Sequence, residues 1–265
     1  MAKTISVMIP CYNEEENARP IYEAVRDELK KSCSNYDYEI LFIDNKSTDR
    51  TREIIREICN EDKNVKAILN SKNFGQFNSP YYGIINTSGD CTITICADFQ
   101  DPVEMIPKFV AEWEKGYKIV IGKKTRSKES KIMYFLRGCY YKIIRKMSSV
   151  EMIEQFTGFG LYDKSFVKTL RELGDPTPFI RGIVAELGPE RKEIEYTQPQ
   201  RRAGKTHNNF YSLYDAAMLS FTSYTKIGLR LAVFAGGMFS LIGFIIALVY
   251  LVLKLINWND FPAGT

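Results

Sequence analysis

Residues 91–102 read CTITICADFQDP and decide the fold, since they join a buried strand to a polar cluster and a helix start. The run 91–97 is β-branched and apolar, which is typical of a strand covered on both faces of a sheet. Pro102 suits the first turn of a helix, where its missing N–H costs nothing. The polar cluster 98–101 therefore lies at the carboxyl end of a buried strand.

The same strand-then-helix pattern recurs through the first 122 residues. Strands that alternate with helices predict an α/β fold, with a mostly parallel, Rossmann-like sheet and helices on both faces. The predicted strands are 5–10, 38–44, 65–69, 91–97 and 117–122, and the predicted helices are 16–29, 48–59, 76–86 and 102–115.

Composition excludes several classes of protein. The 16 Phe and 16 Tyr exclude a disordered chain. Lysine and arginine number 36 against 32 acidic residues, so the net charge of +4 gives no reason to expect nucleic-acid binding. The single histidine, His207, excludes multi-histidine metal sites. The six cysteines form no CxxC pair, and we expect them to be reduced and buried.

Residues 231–253 contain no charged side chain. As a helix they would measure roughly 34 Å, enough to cross a bilayer core of about 30 Å. A buried core helix is the alternative. Lys226 and Arg230 precede the segment and only Lys254 follows it, so the positive-inside rule predicts a cell-membrane protein with its N-terminal part in the cytoplasm. We expect no signal peptide, because the apolar run 5–10 is short and ends in proline.

Two further segments have helical spacing. The segment 130–147 carries basic residues, which fit a solvated face or a face turned to the membrane equally well. The segment 208–225 predicts an amphipathic helix in the headgroup layer, with packing on the soluble domain as the alternative. Its apolar face comprises Phe210, Leu213, Tyr214, Ala217, Met218, Phe221 and Tyr224. The predicted organisation is a cytoplasmic domain (1–207), an interfacial helix (208–227), a transmembrane helix (228–256) and a short tail (257–265).

Polar clusters follow three of the predicted strands, at 11–15, 44–49 and 98–101. The carboxyl ends of parallel strands meet at one edge of the sheet, where α/β proteins bind ligands. Asp98 and Gln100 offer oxygen ligands that suit Mg²⁺ or Mn²⁺, although Asp98 capping the next helix is the alternative. Neither GxxxxGK[ST] nor GxGxxG occurs, so a metal must neutralise much of any bound diphosphate.

The two earlier clusters suit a nucleoside. Asp44, at a strand end, could accept hydrogen bonds from a base or ribose. Tyr12 offers a ring for stacking, and Glu14 offers a carboxylate for a ribose. Ser47 and Thr48 are better explained as ordinary helix caps.

Four motifs together resemble the family 2 glycosyltransferases: SVMIPCYNEE (6–15), IDNKSTD (43–49), NFGQ (73–76) and ADFQDP (97–102). The chain is most similar to the polyprenyl-phosphate sugar synthases, a branch that includes dolichol-phosphate mannose synthases and bactoprenol glucosyltransferases. The resemblance extends to RRAGKT (201–206) and to the apolar segment. It implies a glycosyltransferase A-type domain that transfers a hexose, with inversion, from a nucleotide diphosphate sugar to polyprenyl phosphate.

The resemblance also implies roles for individual residues. UDP-glucose is the favoured donor, undecaprenyl phosphate the acceptor, and a homo-oligomer is one expected form. Asp98 and Gln100 would bind Mg²⁺ or Mn²⁺, and Asp98, Asp101 and Arg201 are the predicted catalytic residues, with helix capping as the alternative for Asp101. The donor nucleotide would contact Pro10, Tyr12, Asn13, Glu14, Asp44, Asn45, Asp98, Arg201 and Lys205, and the acceptor phosphate Lys124, Arg126 and Arg137.

Three positions depart from the family pattern. Cys96 stands where many relatives have the first Asp of a DxD, which leaves fewer carboxylates for the metal. Asn45-Lys46 replaces a common Asp-Gly, and His207 replaces a usual Lys.

The implied reaction needs no strong base, because a lipid phosphate is already anionic. It needs positive charge beside the leaving diphosphate, which a metal, Arg201 and Lys205 would supply. Two alternatives stay open. One is a family 2 enzyme that acts on a polysaccharide or teichoic acid, although no QxxRW motif occurs. The other is a membrane scaffold whose transferase site has decayed.

Overall fold

The computed structural model describes residues 2–125, 150, 152–188, 190–204, 210–225 and 227–257. The strands are β1 (Thr4–Cys11), β2 (Asp37–Asp44), β3 (Val65–Leu69), β4 (Cys91–Thr94), β5 (Ile119–Lys124), β6 (Phe156–Asp163) and β7 (Lys192–Tyr196). The helices are α1 (Ala18–Ser32), α2 (Thr51–Glu61), α3 (Gly75–Ile85), α4 (Ile106–Glu114), α5 (Lys164–Leu173), α6 (Ile180–Leu187), α7 (Phe210–Tyr224) and α8 (Ile227–Ile256).

The seven strands form one sheet in the order β3-β2-β1-β4-β6-β5-β7. β1 runs parallel to β2 and β4, β2 to β3, and β5 to β7, whereas β6 is antiparallel to both of its neighbours. The predicted α/β class and mostly parallel sheet are confirmed. The carboxyl ends of β1, β2 and β4 consequently meet at one edge.

The core lies on both faces of this sheet because successive strand residues point to opposite sides. In β1, Val7 and Ile9 join a cluster with residues of α1, α2 and α4. Met8, between them, joins a second cluster with residues of α3, α5 and α6. The predicted two-sided packing of helices on the sheet is therefore confirmed.

The predicted strand 91–97 and the helix predicted to start at Pro102 are partly wrong. β4 ends at Thr94, because the Cys96 N–H donates to the Asp101 carboxylate (3.0 Å) instead of extending the ladder. Pro102 is extended (φ −68°, ψ 128°) and precedes a short 3₁₀ turn, so α4 starts only at Ile106. The residues between β4 and α4 are thereby left to form a loop at the sheet edge.

β6 and β7 were not predicted. β6 contains Gly158 and Gly160, which weaken a strand pattern in the sequence. Gly160 is needed where β6 approaches β5, since a Cβ there would lie 2.5 Å from the Val120 carbonyl oxygen. The packing against β5, and not strand propensity, explains this residue.

The two C-terminal helices differ in their surroundings. The stretch Gly228–Ile256 of α8 is long and apolar enough to cross a membrane, with a mean hydropathy of 2.6. None of its most apolar 18 residues is buried in the protein. In α7, Tyr214 and Met218 are exposed, whereas Tyr224 packs on Gly182 of α6 and on Phe179, which precedes that helix. Of the described α7 side chains, some are therefore exposed and Tyr224 packs on the domain. The predicted helix at 130–147 lies outside the described residues.

Candidate active site

The loops after β1 and β2 are tied together by backbone and side-chain hydrogen bonds. The Asn45 N–H donates to the Cys11 carbonyl (2.9 Å). The Asn13 N–H donates to the Ser47 hydroxyl (2.9 Å), and the Asn13 side-chain oxygen accepts from the Thr48 N–H (2.8 Å). Asn13 adopts a left-handed φ of 54°, which asparagine tolerates better than most residues. These bonds make one continuous rim at the edge of the sheet.

Asp44 lies at the end of β2 and is completely buried. Its carboxylate accepts from the Lys46 N–H (3.1 Å) and the Ser47 N–H (3.2 Å), and it forms a salt bridge with Arg52. Lys46 has a φ of 68°, a conformation that glycine adopts without strain. The glycine expected at this position from the family pattern is therefore explained by backbone geometry. Arg52 was not predicted as a site residue.

Asn45 holds the loop that contains the NFGQ motif. Its side-chain oxygen accepts from the Phe74 N–H (2.8 Å). Its amide group donates to the Asn73 side chain (2.9 Å) and to the Gly75 carbonyl (3.2 Å). The structure thus uses Asn45 to connect the rim to the start of α3.

Glu14 and Asp98 come from different loops and share one cation. Arg201 forms salt bridges with Glu14 and with Asp98 (3.4 Å to the latter). Glu14 also accepts from the side chain of the fully buried Asn17 (2.7 Å). Burial raises the pKa of Glu14, while the bonds from Asn17 and Arg201 oppose that rise. Three of the predicted site residues are brought together here, whereas Asn17 was missed because its sequence position resembles an ordinary helix cap.

The loop after β4 carries Asp98 and Gln100. Phe99 between them has a left-handed φ of 62°, and the Gln100 N–H donates to the Asp98 carboxylate (3.1 Å). Cys96, in the position of a family aspartate, is exposed and two residues before Asp98. The loop therefore turns back on itself and leaves one Asp98 oxygen directed to Arg201.

Asp101 is buried, unlike Asp98. Its carboxylate accepts from the Cys96 N–H (3.0 Å) and from the hydroxyl of Tyr196 (3.2 Å), the last residue of β7. Burial raises the pKa of Asp101, and the bond from Cys96 opposes that rise. This placement favours a role in holding the loop, and Tyr196 is a further residue that the sequence did not indicate.

The side chains available at this site determine whether a divalent cation can bind there. The described residues contain no group of three or more His, Cys, Asp or Glu side chains that could hold a metal ion. The carboxylate of Asp98 and the amide oxygen of Gln100 are hard oxygen donors from one turn. Mg²⁺ and Mn²⁺ are often bound by one or two protein oxygens, with substrate phosphates and water as the other ligands. The residues fit such a substrate-assisted site.

The other predicted residues are distributed as follows. Pro10 and Tyr12 are half-buried at the end of β1 and in the loop behind it. Lys124 ends β5, where its N–H donates to the Gln155 carbonyl (3.2 Å). Three predicted ligands and the lone histidine lie outside the described residues, namely Arg126, Arg137, Lys205 and His207.

Comparison with known sequences adds independent evidence. The profile of Glycosyl transferase family 2 matches residues 6–171. A bactoprenol glucosyl transferase of Shigella phage SfX is 31% identical over 235 residues, which is 88% of this chain and 76% of that protein. An uncharacterized glycosyltransferase, YkcC of Bacillus subtilis (strain 168), is 30% identical over 251 residues, 94% of this chain and 77% of that protein.

Solved structures share the fold. Mannosyl-3-phosphoglycerate synthase from Rubrobacter xylanophilus superposes with a TM-score of 0.59 at 14% identity, over 87% of this chain and 74% of that one. The mannosyltransferase PcManGT from Pyrobaculum calidifontis, solved with GDP-Man and Mn²⁺, gives a TM-score of 0.51 at 14% identity. That match covers 98% of this chain and 89% of the other. The sheet and its helices thus have the glycosyltransferase A-type architecture.

Proposed function

Because the chain belongs to glycosyl transferase family 2 and is a glycosyltransferase, we propose that it transfers glucose from UDP-glucose to undecaprenyl phosphate. The product would be a lipid-linked sugar for glycosylation of the cell envelope. The observation that carries the proposal is the combination of a donor-type site at the sheet edge with an apolar helix, α8, that can cross a membrane.

The similarity to bactoprenol glucosyl transferases supports both substrates. Matches of 31% identity to the phage SfX protein and 30% to the Escherichia coli (strain K12) prophage homolog cover about nine-tenths of this chain. Bactoprenol is a membrane lipid, and α8 would keep the enzyme at the membrane that contains it. We propose the cell membrane as the location, with the domain 1–207 on the cytoplasmic side, where nucleotide sugars are made.

The proposed reaction is a displacement at the anomeric carbon. An oxygen of the lipid phosphate forms the new bond to that carbon, the bond to the nucleoside diphosphate breaks, and the diphosphate leaves with the electron pair. The configuration inverts. The nucleophile is already an anion, so the protein need not remove a proton from it. What the protein must provide is orientation and charge.

The described residues supply both. The rim that contains Asn13 and Asn45 would hold the nucleoside, with the ring of Tyr12 beside it. Asp44, which is completely buried, would act by holding the loop after β2 in position. Arg201 would bind the diphosphate and stabilise the charge that grows on it. A divalent cation bound by Asp98 and Gln100 would add positive charge at the same place. Asp101 would keep the loop of Asp98 in position through Cys96 and Tyr196.

The test is a transfer assay with the full chain in detergent or native membranes. Radiolabelled UDP-glucose and undecaprenyl phosphate, with Mn²⁺ or Mg²⁺, should give a labelled product that dissolves in organic solvent. Asp98→Asn should lower the rate roughly 100-fold, because it removes charge at the transition state. Asp27→Asn, on the exposed face of α1, is the matched control and should keep the wild-type rate.

Two outcomes would contradict the proposal. Label in an insoluble polymer would indicate a polysaccharide or teichoic acid acceptor. No lipid-linked product with any nucleotide sugar and either metal would indicate a non-catalytic scaffold.

A further inference from the structure

Residues 197–204, here called the strap, follow β7 and cross the candidate site. The Arg202 N–H donates to the Asp98 carbonyl (3.3 Å), which fixes the strap to the loop after β4. The Ala203 carbonyl accepts from the side chain of Asn17 (3.2 Å), which fixes it to the loop after β1. The strap therefore bridges the two loops that would surround the donor diphosphate.

The strap puts a guanidinium between two carboxylates. Arg201 contacts Glu14 with one terminal nitrogen and Asp98 with the other. Its Nε donates to the Ala203 carbonyl (2.8 Å), so the side chain is held at all three of its nitrogens. Arg201 is 20% exposed and Asp98 13% exposed, so this contact is screened less than a surface ion pair. Arg201 thus occupies the carboxylate that the proposed metal would need.

Asn17 holds this arrangement closed. Its amide group donates to both Glu14 and the Ala203 carbonyl, and its side-chain oxygen is buried with no partner among the described residues. If the amide oxygen and nitrogen of Asn17 were exchanged, the oxygen would face two other acceptors, the Glu14 carboxylate and the Ala203 carbonyl. The hydrogen-bond network therefore determines the orientation of the Asn17 amide. Leaving the Asn17 side-chain oxygen buried without a partner is unfavourable. The same side chain makes the two hydrogen bonds that hold the strap in place.

We propose that Arg201 is the resident cation of the donor site and competes with the divalent metal for Asp98. Two cations at one carboxylate repel each other, so metal alone binds weakly. A nucleotide diphosphate offers Arg201 a bidentate phosphate partner, which draws the guanidinium away and frees Asp98. Metal and nucleotide therefore bind together, and neither accumulates alone. The inference rests on the proposed function and names the regulation of the same site.

The experiment measures Mn²⁺ binding to the full-length protein in detergent, without sugar or lipid, by electron paramagnetic resonance of free Mn²⁺. Arg201→Gln should bind Mn²⁺ at least about tenfold more tightly than wild type, because the competing charge is gone. Arg19→Gln is the matched control. It removes the same charge from an arginine that pairs with Glu57 and Glu61 of α2 instead of with Asp98, so Mn²⁺ affinity should stay near wild type.

With UDP present, we expect wild type to bind Mn²⁺ more tightly than Arg201→Gln does. In wild type, UDP should tighten Mn²⁺ binding, since Arg201 moves to the diphosphate. In Arg201→Gln the gain should be smaller, since that phosphate contact is lost. Unchanged or weaker Mn²⁺ binding by nucleotide-free Arg201→Gln overturns the inference.

A second variant loosens the strap without changing any charge. Its result does not depend on whether Arg201→Gln folds correctly. Asn17→Ala removes the amide bonds to the Ala203 carbonyl and to one oxygen of Glu14 and leaves the bond from Arg201 to that carbonyl in place. It should tighten Mn²⁺ binding about threefold and speed tryptic cleavage after Arg201, because cleavage requires the strap to open. Faster cleavage with unchanged Mn²⁺ affinity contradicts the inference. Mn²⁺ binding needs no sugar transfer, so these results stand apart from the test of the proposed function.

Discussion

The ring of Tyr224 lies against Gly182 so closely that a Cβ on Gly182 would sit 2.2 Å from a ring carbon. Tyr224 is the last residue of α7, and Gly182 belongs to α6, which packs on the sheet. Phe179 contacts the same tyrosine ring (6.2 Å between centroids). This contact joins the domain that carries the candidate site to α7, the helix that directly precedes the apolar helix α8.

Gly182→Ala should displace Tyr224 and misplace the domain relative to the lipid. We expect transfer to undecaprenyl phosphate to fall at least about tenfold, since small errors in position strongly reduce rates. UDP binding, measured by calorimetry, should keep its wild-type affinity. Gly236→Ala in α8, where a Cβ meets no atom within 4 Å, is the control. Equal loss of transfer in both variants would argue against a role for this contact.

Tyr196→Phe should test whether Asp101 acts by holding its loop. The change leaves one oxygen of a buried carboxylate without its hydroxyl donor, which should lower the free energy of unfolding by about 1–3 kcal/mol. We expect a modest fall in kcat with little change in donor KM. Tyr36→Phe, whose hydroxyl contacts the exposed Glu114, should leave the melting temperature nearly unchanged. A variant at Tyr196 as stable as wild type would contradict the assigned role.

The hydrogen bonds of Glu39 lead us to expect that the stability of the protein depends on pH. Burial raises its pKa, but hydrogen bonds from Lys66, Ser6 and Ser88 outweigh burial and hold the pKa below its ordinary 4.5. Its contribution is therefore present above pH 4.5 and is lost as the pH falls through the lowered pKa. Glu39→Gln should destabilise the protein by about 1–3 kcal/mol at pH 7 and by less at pH 4. The measurement is thermal unfolding in detergent at both values.

The control for that experiment is Glu53→Gln, whose partner Arg50 is also exposed. Its effect should be small at both pH values. A loss of stability at Glu39 that does not change with pH would show that the carboxylate charge is not what stabilises this cluster.

Lys46 provides a test of backbone strain. Lys46→Gly should raise the free energy of unfolding, because the strain of a side chain at φ 68°, about 1–2 kcal/mol, exceeds the entropy cost of glycine, about 0.5–1 kcal/mol. Lys46→Ala keeps the strain and removes the same charge, so it should give no gain. Equal melting temperatures for the two variants would mean that charge, and not conformation, matters at this position.

The parallel half of the sheet was predictable because each of its strands is a short apolar run followed by a helical repeat. β7 was not, since Lys192–Tyr196 alternates charged and apolar residues and is half-buried only by pairing with β5. In the candidate site, the sequence motifs indicated Glu14, Asp98 and Arg201, which the structure brings together. Asn17 could not, because its role depends on a carbonyl 186 residues away, and such contacts leave no local pattern.

The length of α8 gives the chain a mechanical property. Its 30 residues extend about 45 Å, more than the roughly 30 Å that a bilayer core requires. Placed across a membrane, a helix of this length would tilt to accommodate the surplus, and it would tilt further in a thinner bilayer. The start of α8, through Gly228 and Phe221, and the domain, through Gly182 and Tyr224, both contact the last turn of α7. In the proposed membrane-bound enzyme, a change of tilt would therefore reach the domain through the last turn of α7, and bilayer thickness would affect the distance between the candidate site and the membrane.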